Sequence, residues 1–169
     1  MIETFDNFFP EHEIKTINEK LARPLWSFTG GGVSDINDFE SRMWHMDGLE
    51  NDEYFKTLFS KISHKLKIKG SLIRCYANGQ TATQSGVPHK DDGDITILYF
   101  PTPWVHYIGG HLYFGHNNLE KTVEYKQNRL YCWIWKSHKF SLNKQQWLFV
   151  SDTVYILHPG LNIRFSPWF

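Results

Sequence analysis

The chain has 169 residues, enough for one domain with a substantial core. Lys plus Arg and Asp plus Glu are both 18, so the net charge is zero, which argues against a partner bound by phosphate neutralisation. Aromatic residues make up 17%, including seven Trp, a content suited to a β-rich core or a flat-walled pocket.

The opening Met1-Ile2-Glu3-Thr4-Phe5-Asp6 has neither a basic region nor a long apolar stretch. It predicts no signal peptide and no membrane span. Pro10 suits the start of a helix, with Ile14, Ile17 and Leu21 on one face, ending before Pro24. Asn51 and Asp52 are candidate caps of a second helix, in which Phe55, Leu58, Phe59, Ile62 and Leu66 recur at helical spacing. From Ser71 the period changes to that of strands: 72–76, 95–100, 111–114, 122–125, 129–135, 147–150, 154–157 and 162–165, punctuated by Asn, Gly and Pro. No linker or repeat divides the chain. The expectation is a single α+β domain over 1–169, helical over 1–70 and β over 71–169. A β-sandwich or jelly roll with the N-terminal helices packed on one sheet fits this order. Cys75 and Cys132 both fall in apolar strand-like runs and read as buried reduced thiols. The expected compartment is the cytoplasm.

Two places carry chemistry. His89-Lys90-Asp91 puts an imidazole and a carboxylate two residues apart, just before the apolar run 95–100. On a strand such residues share a face. With a second histidine from elsewhere they would form a two-histidine, one-carboxylate metal site with open positions. Arg164-Phe165-Ser166 puts a guanidinium and a hydroxyl on one face of the last strand, a cradle for a carboxylate.

The chain resembles the 2-oxoglutarate- and Fe(II)-dependent oxygenases of the prolyl-4-hydroxylase-like branch, including phage and marine bacterial forms. The residues that carry the likeness are Arg74-Cys75-Tyr76-Ala77-Asn78-Gly79, Pro88-His89-Lys90-Asp91-Asp92-Gly93-Asp94, Thr96-Ile97-Leu98-Tyr99-Phe100, Gly109-Gly110-His111-Leu112-Tyr113-Phe114, Asn128-Arg129-Leu130 and Arg164-Phe165-Ser166. Phe5-Asp6-Asn7-Phe8-Phe9 and the helix after it share it, while residues 26–52 are the least familiar stretch. The resemblance implies a double-stranded β-helix, a cupin-like jelly roll. It implies iron held by His89, Asp91 and a later histidine, with Tyr76 touching 2-oxoglutarate, Arg164 pairing with its far carboxylate and Ser166 beside it. It further implies use of O2, decarboxylation of 2-oxoglutarate to succinate, ascorbate as an admissible auxiliary, and hydroxylation of a prolyl residue or a small molecule. Related halogenases lack the carboxylate at Asp91, so its presence favours hydroxylation. No nucleic-acid or membrane partner is expected.

In that family the distal histidine follows the strand headed by Asn-Arg-Leu and opens the next strand. His138, nine residues past Arg129, fits better than His158, which lies six before Arg164 with Pro159 and Gly160 between. At ~3.3 Å per residue that span scarcely holds a strand and a turn. His138 leaves residues 140–162 longer than the family shows, as a hairpin or edge extension. Phe100 is a second departure, since many relatives have Tyr there to touch the co-substrate; Ser166 or Thr96 would compensate. His45-Met46-Asp47 repeats the His-x-Asp spacing but stands before a helix, and reads as a decoy. His12, His64, His106, His111 and His116 read as surface or loop residues, and Trp104 and Trp133 as packing residues. Residues 80–87 and 101–107 read as mobile loops shaping the entrance. Two rival readings remain: a cupin-like metalloenzyme that does not use 2-oxoglutarate, and a non-catalytic binding module on the same scaffold.

Overall fold

The computed structural model describes residues 2–30, 42–80, 95–103, 111–116, 119–134, 147–151 and 158–166. Helix α1 (Glu11–Leu21) starts directly after Pro10, whose fixed φ of −69° suits a helix entry. Glu11 and Glu13 lie in its first turn and Lys20 in its last, each matched to the helix dipole. Helix α2 (Glu53–Leu66) is capped by Asp52, whose carboxylate accepts the Tyr54 N–H at 2.9 Å. It ends at Lys67, in the left-handed region at φ 55°. The apolar faces predicted for both helices are buried: Ile17 and Leu21 from α1, Phe55, Leu58 and Ile62 from α2. Each such side chain contributes roughly 1.5–3 kcal/mol on removal from water.

The described residues include ten strands: β1 (Ile2–Phe5), β2 (Ser27–Gly30), β3 (Arg42–Met46), β4 (Ser71–Gln80), β5 (Ile95–Phe100), β6 (His111–His116), β7 (Leu119–Val123), β8 (Arg129–Ile134), β9 (Trp147–Ser151) and β10 (His158–Ser166). They form a seven-stranded sheet in the order β1-β8-β5-β10-β4-β3-β2 and a three-stranded sheet in the order β7-β6-β9. Every strand pair is antiparallel. The first 70 residues are therefore not only helical: β1 adds to β8 at one edge of the large sheet, and β2 and β3 extend the other edge beyond β4. The predicted strand 154–157, and His106 and Trp104, lie outside the described residues.

Alternation sorts the large sheet into two faces. Ile95, Ile97 and Tyr99 of β5, Leu130 and Cys132 of β8, and Cys75 and Ala77 of β4 join the helices in one core. The other face supplies Leu98, Phe100, Tyr131 and Trp133, which pack with Val123 of β7 from the small sheet. Trp133 is thus a packing residue, as expected. The thiols are free and buried; burial raises Cys75 strongly and pushes Cys132 up to about 12.

Asn128, just before β8, ties the N-terminal segment to this framework. Its φ of 58° is one that Asn tolerates. Its Oδ1 accepts the Phe9 N–H at 2.9 Å and the Tyr99 hydroxyl at 3.0 Å, and its Nδ2 donates to the Phe9 carbonyl at 2.8 Å. Nearby, Arg129 and Lys126 both bond Asp6.

Candidate active site

The face of the large sheet that carries Leu98 and Phe100 also carries Thr96 and Tyr76, two of the residues expected at the site. β10 lies between β5 and β4, and the register forms rows across the three strands. Arg164 is opposite Thr96 on β5 and Arg74 on β4. Asn162 is opposite Leu98 and Tyr76, and Gly160 is opposite Asn78. This register sets position 164 in the row of Thr96, one row from Tyr76. Thr96 is wholly buried and Tyr76 nearly so. Three of the residues singled out for 2-oxoglutarate thus fall within two rows of adjacent strands.

Ser166 needs a finer description. It lies at the end of β10 opposite Ser71, beyond the β5 pairing, which stops at Phe165 and Ile95. Between Arg164 and Phe165 the register to β4 shifts, so that Arg164 faces Arg74 but Phe165 faces Leu72. The extra residue is Ile73. A bulge explains why Leu72 and Cys75, three apart, both pack in the helix-side core while Ile73 is an exposed large hydrophobic.

Phe100 is four residues from Thr96, roughly 13 Å along an extended strand. The β5 neighbour of Arg164 is therefore Thr96, the hydroxyl expected to compensate for Phe100. Phe100 itself is buried against Tyr125 and Tyr131, with ring centroids at 4.3 and 5.7 Å. Burial pushes the Tyr125 phenol up to about 12, partly offset by its bond with Thr102.

The edge beyond Tyr76 holds a polar group that sequence reasoning missed. The Arg74 guanidinium lies over the Tyr76 ring, 4.6 Å from its centroid, and Nη2 donates to Asp47 Oδ1 at 3.0 Å. One row on, buried His45 Nδ1 is 2.9 Å from Asn78 Oδ1. Burial lowers its pKa, against the opposing effect of Asn78, so the ring is neutral at pH 7. The decoy motif, expected only to stand before a helix, starts on a strand, β3. Its two side chains go to different partners, Asn78 and Arg74, and do not converge on one point. The period-2 contacts of β4 were readable from sequence; the pairing of β3 with β4 was not.

His89 and Asp91 lie between β4 and β5, and His138 between β8 and β9; all three lie outside the described residues, as do most of the expected entrance loops. His158 opens β10 opposite Gln80, on the same strand as Arg164. Among the described residues no three His, Cys, Asp or Glu side chains group to hold a metal. An open groove of about 760 Å³ is lined by α1 and the turn before β8, Asn7, His12, Asn18 and Gln127 among them, and by none of the candidate residues. No helix among the described residues is long and apolar enough to cross a membrane.

No protein-family model and no curated relative matches the chain. Solved structures do. An oxidoreductase of the 2OG-Fe(II) oxygenase family from Burkholderia pseudomallei superposes with a TM-score of 0.70 at 11% identity, covering 98% of this chain and 84% of that one. A prolyl hydroxylase from Trichoplax adhaerens, in complex with a hypoxia inducible factor peptide fragment, gives 0.69 at 12% identity over 97% and 82%. The non-heme α-ketoglutarate-dependent carbocyclase SnoK from nogalamycin biosynthesis gives 0.62 at 9% identity over 97% and 78%. The chain has the fold of the 2-oxoglutarate–Fe(II) oxygenases, in the form shared by prolyl hydroxylases.

Proposed function

We propose that the protein is an Fe(II)- and 2-oxoglutarate-dependent dioxygenase that hydroxylates a prolyl residue in a peptide or a small molecule. The observation that supports this reading is the register that sets position 164 beside Thr96 and one row from Tyr76, in a sheet whose fold is that of such oxygenases. In this reading the two sheets are the halves of a double-stranded β-helix, residues 1–169 are one domain, and the helices back the larger sheet.

The residues fit the implied groups. Two imidazoles and a carboxylate, from His138, His89 and Asp91, are a donor set suited to ferrous iron. The segment bearing His89 and Asp91 leaves β4 and enters β5, the two strands that flank Arg164. Chain order supports His138 as the distal ligand: it follows β8, the strand headed by Asn-Arg-Leu, and precedes β9. His158 lies one strand later, on β10. Part of the long 140–162 stretch is β9, added to the small sheet beside β6.

When bound, iron with 2-oxoglutarate and O2 supplies the oxidising chemistry, leaving succinate and CO2. The chain's own share is placement. Arg164 would pair its planar guanidinium with the far carboxylate, with the Thr96 and Ser166 hydroxyls completing the cradle. Tyr76 would contact the co-substrate one row away. Leu98, Phe100, Tyr131 and Trp133 form an apolar wall on that face, suited to excluding water. The choice between a prolyl peptide and a small molecule rests on the neighbours: one is a prolyl hydroxylase with a peptide bound, another a carbocyclase. Two free buried thiols accord with a reducing compartment such as the cytoplasm.

The test is succinate formation from 2-oxoglutarate under air, with and without proline-containing peptides, free proline, nucleosides and small amino acids, ascorbate being supplied. Arg164→Leu is expected to abolish it. Unchanged turnover in that variant would favour a metalloenzyme that does not use 2-oxoglutarate.

A further inference from the structure

Arg74 is the direct cross-strand partner of Arg164, so the register sets two guanidinium-bearing residues side by side on one face. Like charges at directly opposed positions repel. Asp47 offsets one of the two charges at 3.0 Å from Arg74 Nη2. The guanidinium has five N–H donors in one plane, and Asp47 takes one. The contact with Tyr76 is between the guanidinium carbon and the ring, and takes up no N–H donor in a hydrogen bond. The side chain is 44% exposed, so a solute can reach it. It is also already in contact with the ring that the proposed oxygenase presents to its co-substrate.

We infer that Arg74 is a second anchor for the far carboxylate of 2-oxoglutarate, acting beside Arg164, with Asp47 as the resident carboxylate that holds Arg74 over Tyr76. This rests on the oxygenase reading and adds a residue to its co-substrate site. A dicarboxylate entering that row takes up Arg74 donors that no other described group uses. A 2-oxo acid of the same length with a methyl in place of the far carboxylate has no group to accept them.

The test compares wild type, Arg74→Gln and Arg74→Lys with two probes, 2-oxoglutarate and 2-oxopentanoate. Dissociation constants come from the absorption band that each 2-oxo acid gives with anaerobic Fe(II) protein. The thermal shift produced by 2-oxoglutarate in metal-free protein is a second readout. A hydrogen bond to a charged group is worth enough that Arg74→Gln is expected to weaken 2-oxoglutarate about tenfold. Binding of 2-oxopentanoate is expected to stay within about twofold, because it lacks the group that Arg74 holds. Arg74→Lys keeps the charge without the fork and is expected to fall between. It also serves if the Gln variant fails to fold. Equal loss for both probes, or no loss for either, would overturn the inference while leaving the oxygenase standing. A wild-type protein that gives no band with either acid would remove the oxygenase reading itself, and the inference with it.

Discussion

Replacing Asn128 by Ala is expected to be among the most destabilising single changes outside the helical core. The side chain makes three buried hydrogen bonds, two accepted from Phe9 N–H and the Tyr99 hydroxyl and one donated to the Phe9 carbonyl. Each is worth about 1 kcal/mol net, and their loss leaves buried partners unpaired. Ala must also take the left-handed φ of 58°, at about 1–2 kcal/mol. The sum is about 4–5 kcal/mol, a large share of a typical total of about 5–15 kcal/mol. Asn128→Gly removes the dihedral strain but loosens the unfolded chain, so it is expected to recover only about 0.5–1 kcal/mol. Urea unfolding followed by tryptophan fluorescence and extrapolated to water measures all three proteins. An Ala variant within about 1.5 kcal/mol of wild type, or a Gly variant less stable than Ala, would refute the clamp.

Acid is expected to unfold the protein through three carboxylates. Bonds from Arg129 and then Lys126 hold Asp6 well below the usual carboxylate range. For Asp52 and Glu13 burial alone would raise the pKa. The Tyr54 N–H and Arg23 outweigh it at Asp52, as Lys61 and the Tyr54 hydroxyl do at Glu13. All three values are depressed in the folded state, so their contribution is complete above an ordinary carboxylate pKa of about 4 and is lost as pH falls through the folded values. Glu13→Gln should shrink the acid-dependent part of the unfolding free energy; a curve parallel to wild type would count against it. Both thiols have raised pKa values, so Ellman's reagent at pH 8 should find neither in the native protein and both in urea; rapid native labelling would contradict their burial. His138→Ala should lose Fe(II) under anaerobic dialysis while His158→Ala keeps it, and the reverse result would move the distal ligand to β10.

Where local pattern and burial agree, the sequence was easy to read. β5 spans 95–100 as its apolar run predicts, because both its faces are buried. The two helices follow their 3.6-residue stripes and the Asp52 cap. The three N-terminal strands were missed because their stability comes from partners remote in sequence: β1 from β8, and β3 from β4. β2 and β3 are four and five residues long and carry no apolar alternation of their own. The bulge at Ile73 hides in a strand-like run and emerges only from the pairing with β10. Around the candidate site, the strands that carry Tyr76 and Arg164 were legible from their period-2 runs. The Asp47–Arg74 pair spans 27 residues of chain and depends on the β3–β4 register. No local signal announces it.

The central claim is that a ferrous ion and 2-oxoglutarate share one site on this sheet. The most direct measurement is anaerobic Fe(II) binding, with and without 2-oxoglutarate, in wild type, His89→Ala and Asp91→Ala. One iron per chain is expected, with a visible absorption band on adding 2-oxoglutarate that both variants lose. A wild-type protein that takes up no iron, or variants that keep the full band, would contradict the claim.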